Sequence, residues 1–161
     1  MKTSSLKLGL VALAALAAAG TANADQRGSK GFFGNIVRLQ QNGHGNGAAQ
    51  AQTGAGNASA IAQTGVANTG TTSQTGSNNA AVIDQHGVGN TAGITQTGNN
   101  NAGCILQVGN GLNAQAVQTG GQSMGVMQTN KGVGEIGAPL CMAGDKGSFS
   151  LMKKVIVGTT K

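Results

Sequence analysis

The stretch Gln74–Gly98, QTGSNNAAVIDQHGVGNTAGITQTG, carries the frame Q-x-G three times, each copy beginning eleven residues after the last. Extended in both directions, the frame holds without a gap. Glutamine stands at Gln41, Gln52, Gln63, Gln74, Gln85, Gln96, Gln107 and Gln118, and glycine two places later at Gly43, Gly54, Gly65, Gly76, Gly87, Gly98, Gly109 and Gly120. Five places after glutamine comes asparagine at Asn46, Asn57, Asn68, Asn79, Asn90 and Asn101, with Asn35 ahead of the first frame and Leu112 and Ser123 as the lapses. A small residue at plus seven, often an apolar one at plus nine, and the next glutamine complete the unit.

Steps of two residues are the period of a β-strand, so Asn90, Ala92, Ile94 and Gln96 point to one face. The four residues between a glutamine and the next asparagine, such as TGAG or HGVG, are rich in Gly and Asn and read as a tight turn. A right-handed coiled coil also has an eleven-residue period, but a glycine in every unit, at about 1 kcal/mol each in a helix interior, argues against it. Seven-residue strands are therefore expected from Asn35–Gln41, then at each beat up to Ser123–Thr129. If every turn reverses the chain, strands 22 residues apart stack in two facing sheets of four or five rungs. The expected fold is all-β, a β-solenoid of 11-residue half-repeats with amyloid-like rungs roughly 4.8 Å apart. A buried amide costs several kcal/mol unless hydrogen-bonded. Stacking gives each Gln and Asn above a copy of itself as partner, so these columns are expected to form structural ladders and the frame glycines to serve the turns.

Composition supports a repeat architecture. Of 161 residues only 2% are aromatic and 9% charged, and Leu, Ile, Val and Phe together make up less than a fifth. That is too little for a conventional core, and the low charge is not that of an ordinary disordered chain. Lys2 and Lys7, the apolar run Leu8–Gly20 and the A-x-A site Ala22–Asn23–Ala24 read as a secretory signal peptide over residues 1–24. The apolar run is shorter than the roughly 20 residues needed to cross a bilayer, and no transmembrane segment is expected in the mature chain. An N-terminal segment 25–34, repeats 35–129 and a non-repeat tail 130–161 follow. Cleavage near Ala24 lowers the formal charge from +6 to +4 by removing Lys2 and Lys7, and no Lys or Arg lies between Gln41 and Gln128, so the repeats lack the basic stripe a nucleic-acid partner needs.

Read in pairs of units, NAAVIDQHGVGNTAGITQ from Asn79 to Gln96 resembles the curlin repeat, S-x5-Q-x-G-x-G-N-x-A-x3-Q, with Asn79 in the serine position. Asn35–Gln52 matches equally well with the same exchange. Asn57–Gln74 departs at Ala67 and Gly70, and Asn101–Gln118 departs at Leu112. The resemblance covers most of the mature chain up to about Gln128. It implies a secreted bacterial subunit of curli-like fibres: a functional amyloid that polymerises with itself outside the cell and supports adhesion and biofilm. It also implies export through an outer-membrane channel and pairing with a nucleator or major subunit. The Asn-for-Ser exchange and the tail leave major and minor subunit roles both open.

No enzyme, cofactor or metal site is expected. The carboxylates Asp25, Asp84, Glu135 and Asp145 are scattered, and His44 and His86 read as solvated turn residues without an acid placed by the pattern. The alternative function is a soluble, capped solenoid that binds ice or a surface through the column Thr53, Thr75, Thr97 and Thr119.

The two outward faces are expected to differ. One presents Thr69, Thr71, Ser73, Thr91, Thr95, Asn113 and Gln115, and the other Ala58, Ala60, Ala62, Ala80, Val82, Ala102, Cys104, Leu106, Met124 and Val126. A contiguous apolar face normally has a partner. The tail, with Cys141 in it, is one candidate, folding back so that Cys104 and Cys141 can pair in the oxidising exterior. Two free thiols, or a face buried between filaments, are the other readings.

Overall fold

The computed structural model describes residues 34–136, together with the backbone of two short strands, β1 (Ala12–Ala17) and β2 (Ala24–Arg27). The strands that follow are β3 (Ile36–His44), β4 (Gly47–Ala55), β5 (Ala58–Val66), β6 (Thr69–Ser77), β7 (Ala80–Val88), β8 (Thr91–Asn99), β9 (Ala102–Asn110), β10 (Asn113–Thr119), β11 (Ser123–Thr129) and β12 (Gly132–Ile136). There is no helix among the described residues. Successive strands alternate between two sheets, of order β1-β4-β6-β8-β10 and β12-β11-β9-β7-β5-β3-β2. Within the repeats every pair is parallel and most are offset by 22 residues, so Leu39, Ile61, Ile83 and Ile105 stand in one column. The chain is a β-solenoid of about four turns.

Strands β3 to β9 run nine residues rather than seven, and only two residues, such as Gly45 and Asn46, remain at a corner. The extra length comes from the frame glycines, which continue the parallel ladder at Gly43↔Gly65 and Gly65↔Gly87. Most of these glycines therefore lie in strand ends, not in the turns proper; Gly120 alone follows its strand. Gly65 shows why no side chain fits: its φ is +121°, and a Cβ placed there lies 2.0 Å from the Gly87 carbonyl oxygen of the next rung. The corner itself is made two places later by a left-handed residue. Gly45 and Gly89 hold that position at φ 65° and 66°, whereas Ala67, Asn78 and Asn100 hold it at φ 55°, 57° and 58°.

The interior is thin. One sheet contributes the buried Leu39, Ile61, Ile83 and Ile105, worth roughly 1.5–3 kcal/mol each. The other sheet faces them with the column Gln50, Thr72, Ile94 and Ala116. Where this column turns polar, partners cross the core: Ser59 Oγ meets Thr72 Oγ1 at 2.6 Å, and Gln50 Nε2 donates to the Arg38 carbonyl at 2.9 Å.

The last half-repeat is corrected by its register. Ser123 pairs with Ala102 and Gln128 with Gln107, an offset of 21, not 22. A one-residue slip exchanges the two faces of a strand. Met124 and Val126, expected to point outward, instead pack against the core, and Gln128 enters the glutamine column. The missing residue is lost between Gln118 and Gln122, four places apart where the other frames have five, and Gln122 takes the asparagine position expected of Ser123: its N–H donates to Asn101 Oδ1 at 3.1 Å.

Gly65→Ala should collapse the ordered fold, because the obstacle is rigid backbone, whereas Ala67→Gly should stabilise it by about 1 kcal/mol by relieving left-handed strain. Urea titration of the soluble chain followed by far-ultraviolet circular dichroism reads both; equal midpoints for the two variants would contradict the assigned corner geometry.

Candidate functional site: amide ladders and stack ends

Each frame glutamine from Gln41 to Gln107 is spent in two directions. Its Nε2 donates along the stack to the next glutamine Oε1, as in Gln41 to Gln63 (2.7 Å), Gln63 to Gln85 (2.8 Å) and Gln85 to Gln107 (2.8 Å). The facing sheet repeats this from Gln52 to Gln74 (2.6 Å), Gln96 (2.8 Å) and Gln118 (2.7 Å). The second hydrogen crosses to the opposite sheet: Gln63 reaches the Gly47 carbonyl at 2.9 Å and Gln85 the Thr69 carbonyl at 3.0 Å. The glutamines thus join rung to rung and sheet to sheet.

Asparagine runs the other way. Asn79 donates both its N–H and its Nδ2 back to Asn57 Oδ1 at 3.0 and 3.1 Å, and its Nδ2 also reaches the Gly98 carbonyl at 2.8 Å. Asn46, Asn57, Asn68 and Asn90 bind the carbonyls of Gly65, Gly76, Gly87 and Gly109 in the same way. Asn35 Oδ1 accepts from the Asn57 N–H at 3.1 Å, and Asn101 closes the run on Asn79 Oδ1 at 3.0 Å. Frame glycine and asparagine are therefore one device: the glycine permits the close corner, and the asparagine satisfies its carbonyl. Three bonds lay outside the expected pattern. Asn99, Asn110 and Asn130 each accept at Oδ1 from the main chain of the preceding rung, at Ser77, Val88 and Asn110. Their only signal was an excess of Asn at outer turn positions.

The ladders have two unlike ends. At the N-terminal end Gln41 Oε1 and Gln52 Oε1 are buried acceptors without a donor among the described residues, and so is Gln50 Oε1. At the C-terminal end stand donors: Gln118 Nε2, which meets the Ala102 and Gln122 carbonyls, and Gln128 Nε2, which meets the Asn113 carbonyl. The edges differ as well. β1 lies antiparallel on β4, β2 on β3 and β12 on β11, but no described strand covers the edge of β10 that faces away from β8. Next to β10 a cavity of about 440 Å³ opens between Val117, Gln118, Met124 and Glu135. Val117 there is 68% exposed.

The two faces differ in kind. Thr69, Thr71, Ser73, Thr91, Thr95, Asn113 and Gln115 are exposed or nearly so, as is the register-aligned column Thr53, Thr75, Thr97 and Thr119. On the other sheet Ala58, Ala60, Ala62, Ala80, Val82 and Ala102 are half-buried. Cys104 and Leu106 point the same way and are buried, at 1% and 3% exposure. Cys104 is disulfide-bonded. Cys141, and the tail beyond residue 136, lie outside the described residues. What the described part of the tail does is pair β12 edge-on with β11, which differs from a sheet-covering fold.

One acid–base contact departs from expectation. Asp84 and His86 project from the same face of β7, and His86 Nε2 lies 3.0 Å from Asp84 Oδ1. His86 is held above the ordinary value of 6.5, chiefly by that hydrogen bond, with burial opposing and the Asp84 charge assisting. His44 ends β3 and is exposed. No cluster of three or more His, Cys, Asp or Glu able to hold a metal occurs among the described residues, and they include no helix long and apolar enough to cross a membrane.

Because the His86 value is raised in the folded chain, its stabilisation is complete below the unfolded value near 6.5 and is lost as pH rises through the raised value. The unfolding midpoint should therefore fall as pH rises above 6.5 in the native chain and stay flatter in Asp84→Asn. Superimposable His86 titration curves by NMR in the two chains would contradict the pairing.

No curated protein and no solved structure matches the chain. The family described as Curlin associated repeat matches residues 66–98, which run from the end of β5 through β8 and hold three consecutive Q-x-G frames. The solenoid built from stacked Gln, Asn and Gly columns is thus similar, over a stretch at its centre, to the Curlin associated repeat.

Proposed function

We propose that this chain is a structural subunit of extracellular curli-like amyloid fibres, which grows by end-to-end stacking of strands and supports adhesion and biofilm matrix. The carrying observation is the stack itself: parallel rungs with ladders ending in unpaired buried carbonyls at one end and amide donors at the other. An uncovered strand edge recruits another strand, and here the arriving rung also extends each ladder. Residues 1–24 act as a secretory leader. Because β1 lies within them, their removal opens the edge of β4. Export through an outer-membrane channel, and a nucleator or major subunit as second partner, complete the proposal. The exposed Thr column fits surface binding less well, since the column beside it reads Ala51, Ser73, Thr95 and Val117 and forms no second rank.

The tail is proposed to be tethered through Cys104 and Cys141, the chain's only two cysteines. The support is local: outward Cys104 and Leu106 are buried, whereas Val82 and Asp84, one rung earlier on the same columns, are half-exposed. Peptide mapping of the unreduced chain should recover the joined peptides, and two alkylatable thiols would overturn the tether.

Purified processed chain should form fibres with a meridional reflection near 4.7 Å, faster when preformed ends are added. Gln63→Leu with Gln85→Leu should slow that growth several-fold, since removing them orphans amides at about 1–3 kcal/mol each. A chain that stays soluble with fibre ends present, and shapes ice crystals, would replace this reading with the surface-binding one.

A further inference from the structure

The repeats contain nine strands, β3 to β11, and nine is odd. One sheet holds five of them and the other four, so the C-terminal end of the stack is a half-finished rung. Its marks are physical. Met124 and Val126 face inward from β11 yet remain partly exposed. The cavity of about 440 Å³ lies where a strand facing them belongs, beside the edge of β10. Gln118 Nε2, lacking a further glutamine, turns to the Gln122 carbonyl at 3.1 Å.

We infer that this slot receives β3 of a second copy of the chain, so that successive subunits are related by a half-turn about the fibre axis and the five-strand column of one copy continues the four-strand column of the other. The inference rests on the fibre reading above. It follows from continuity of winding: after β11 the next strand belongs beside β10, and β3 is the first repeat strand an incoming copy offers. Placed there, β3 brings an inward row of Val37, Leu39 and Gln41 against Met124 and Val126, and Gln41 Oε1, buried without a donor, meets Gln118 Nε2. The incoming β4 then follows β11, where Gln52 Oε1, likewise without a donor, meets Gln128 Nε2. Two of the three orphan acceptors, Gln41 Oε1 and Gln52 Oε1, are thus matched, each in its own column. Stacking β3 on β11 instead, five strands on five, leaves the slot vacant, and β10 and the incoming β4 are then separated by a missing strand.

The end strands must give way for this to happen. β2 leaves β3, β12 leaves β11, and β1 leaves with the leader. β12 is a weak cover, five residues long and antiparallel, with Val133 69% exposed and no glutamine to extend the ladder.

Electron cryomicroscopy of fibres made by the chain expressed with its own leader tests the arrangement. Nine strands at half the ~4.8 Å rung spacing predict a rise of about 22 Å per chain with a half-turn between neighbours. Whole-rung stacking without rotation, whether the slot stays empty or is filled by the chain's own tail, gives a rise of about 24 Å and overturns the inference while leaving the fibre reading intact. Failure to form fibres removes both. In mixed fibres of two single-cysteine-substituted chains, Val117→Cys should cross-link to Gln40→Cys, which lies in the same outward column position. Cross-linking of Met127→Cys to Gln40→Cys in its place also overturns the inference.

Discussion

A polar side chain sealed away from water must find its hydrogen bonds inside the protein, and the rest of this structure follows from that demand. Glutamine has two donors and one carbonyl. In the buried column each donor is used, one along the stack and one across it. Neither bond can form in a single hairpin: the first needs an identical residue one rung away, and the second needs an opposing sheet in fixed register. Burying these amides therefore requires a repeat, and the repeat requires parallel strands at constant offset.

The same demand sets the corners. A two-residue corner leaves the frame glycine carbonyl turned inward, and asparagine Nδ2 satisfies it from the neighbouring half-turn. The glycine is needed because the next rung's carbonyl occupies the place of a Cβ. Asparagine and glycine are thus tied as tightly as the glutamines, although they lie on different strands. Large apolar residues are concentrated in the middle, where Leu39, Ile61, Ile83 and Ile105 fill one column and Ile94 faces them from the other sheet.

A ladder of directional bonds has unlike ends, and this gives the solenoid its polarity. Glutamine bonds run toward the C-terminus, so the acceptors Gln41 and Gln52 Oε1 stand at one end and the donors Gln118 and Gln128 Nε2 at the other, each in a known column. An ordinary sheet edge presents only generic main-chain groups. Here the side chains add an address, which is why growth by a copy of the same chain is more specific than strand pairing alone.

By itself the sequence determined the period, the alternation of faces and, once each turn reverses the chain, the stacking offset, because an invariant eleven-residue beat with two-residue steps sets equivalent strands 22 residues apart. The glutamine, asparagine and glycine columns were legible for the same reason. What escaped it were departures from strict repetition. The slip that turns Met124 and Val126 inward and recruits Gln128 drops one residue from the spacing after Gln118, and only pairing with β9 decides where the change is absorbed. The nine-residue strands were hidden because glycine signals a turn in one dimension and a close contact between rungs in three. The Asp84–His86 contact needed the strand to continue past the glutamine. The covers at the ends, β1, β2 and β12, carry no repeat signature at all. Their pairing is antiparallel and nonperiodic, set by which edge lies within reach, and that is a property of the folded stack rather than of any local run of residues.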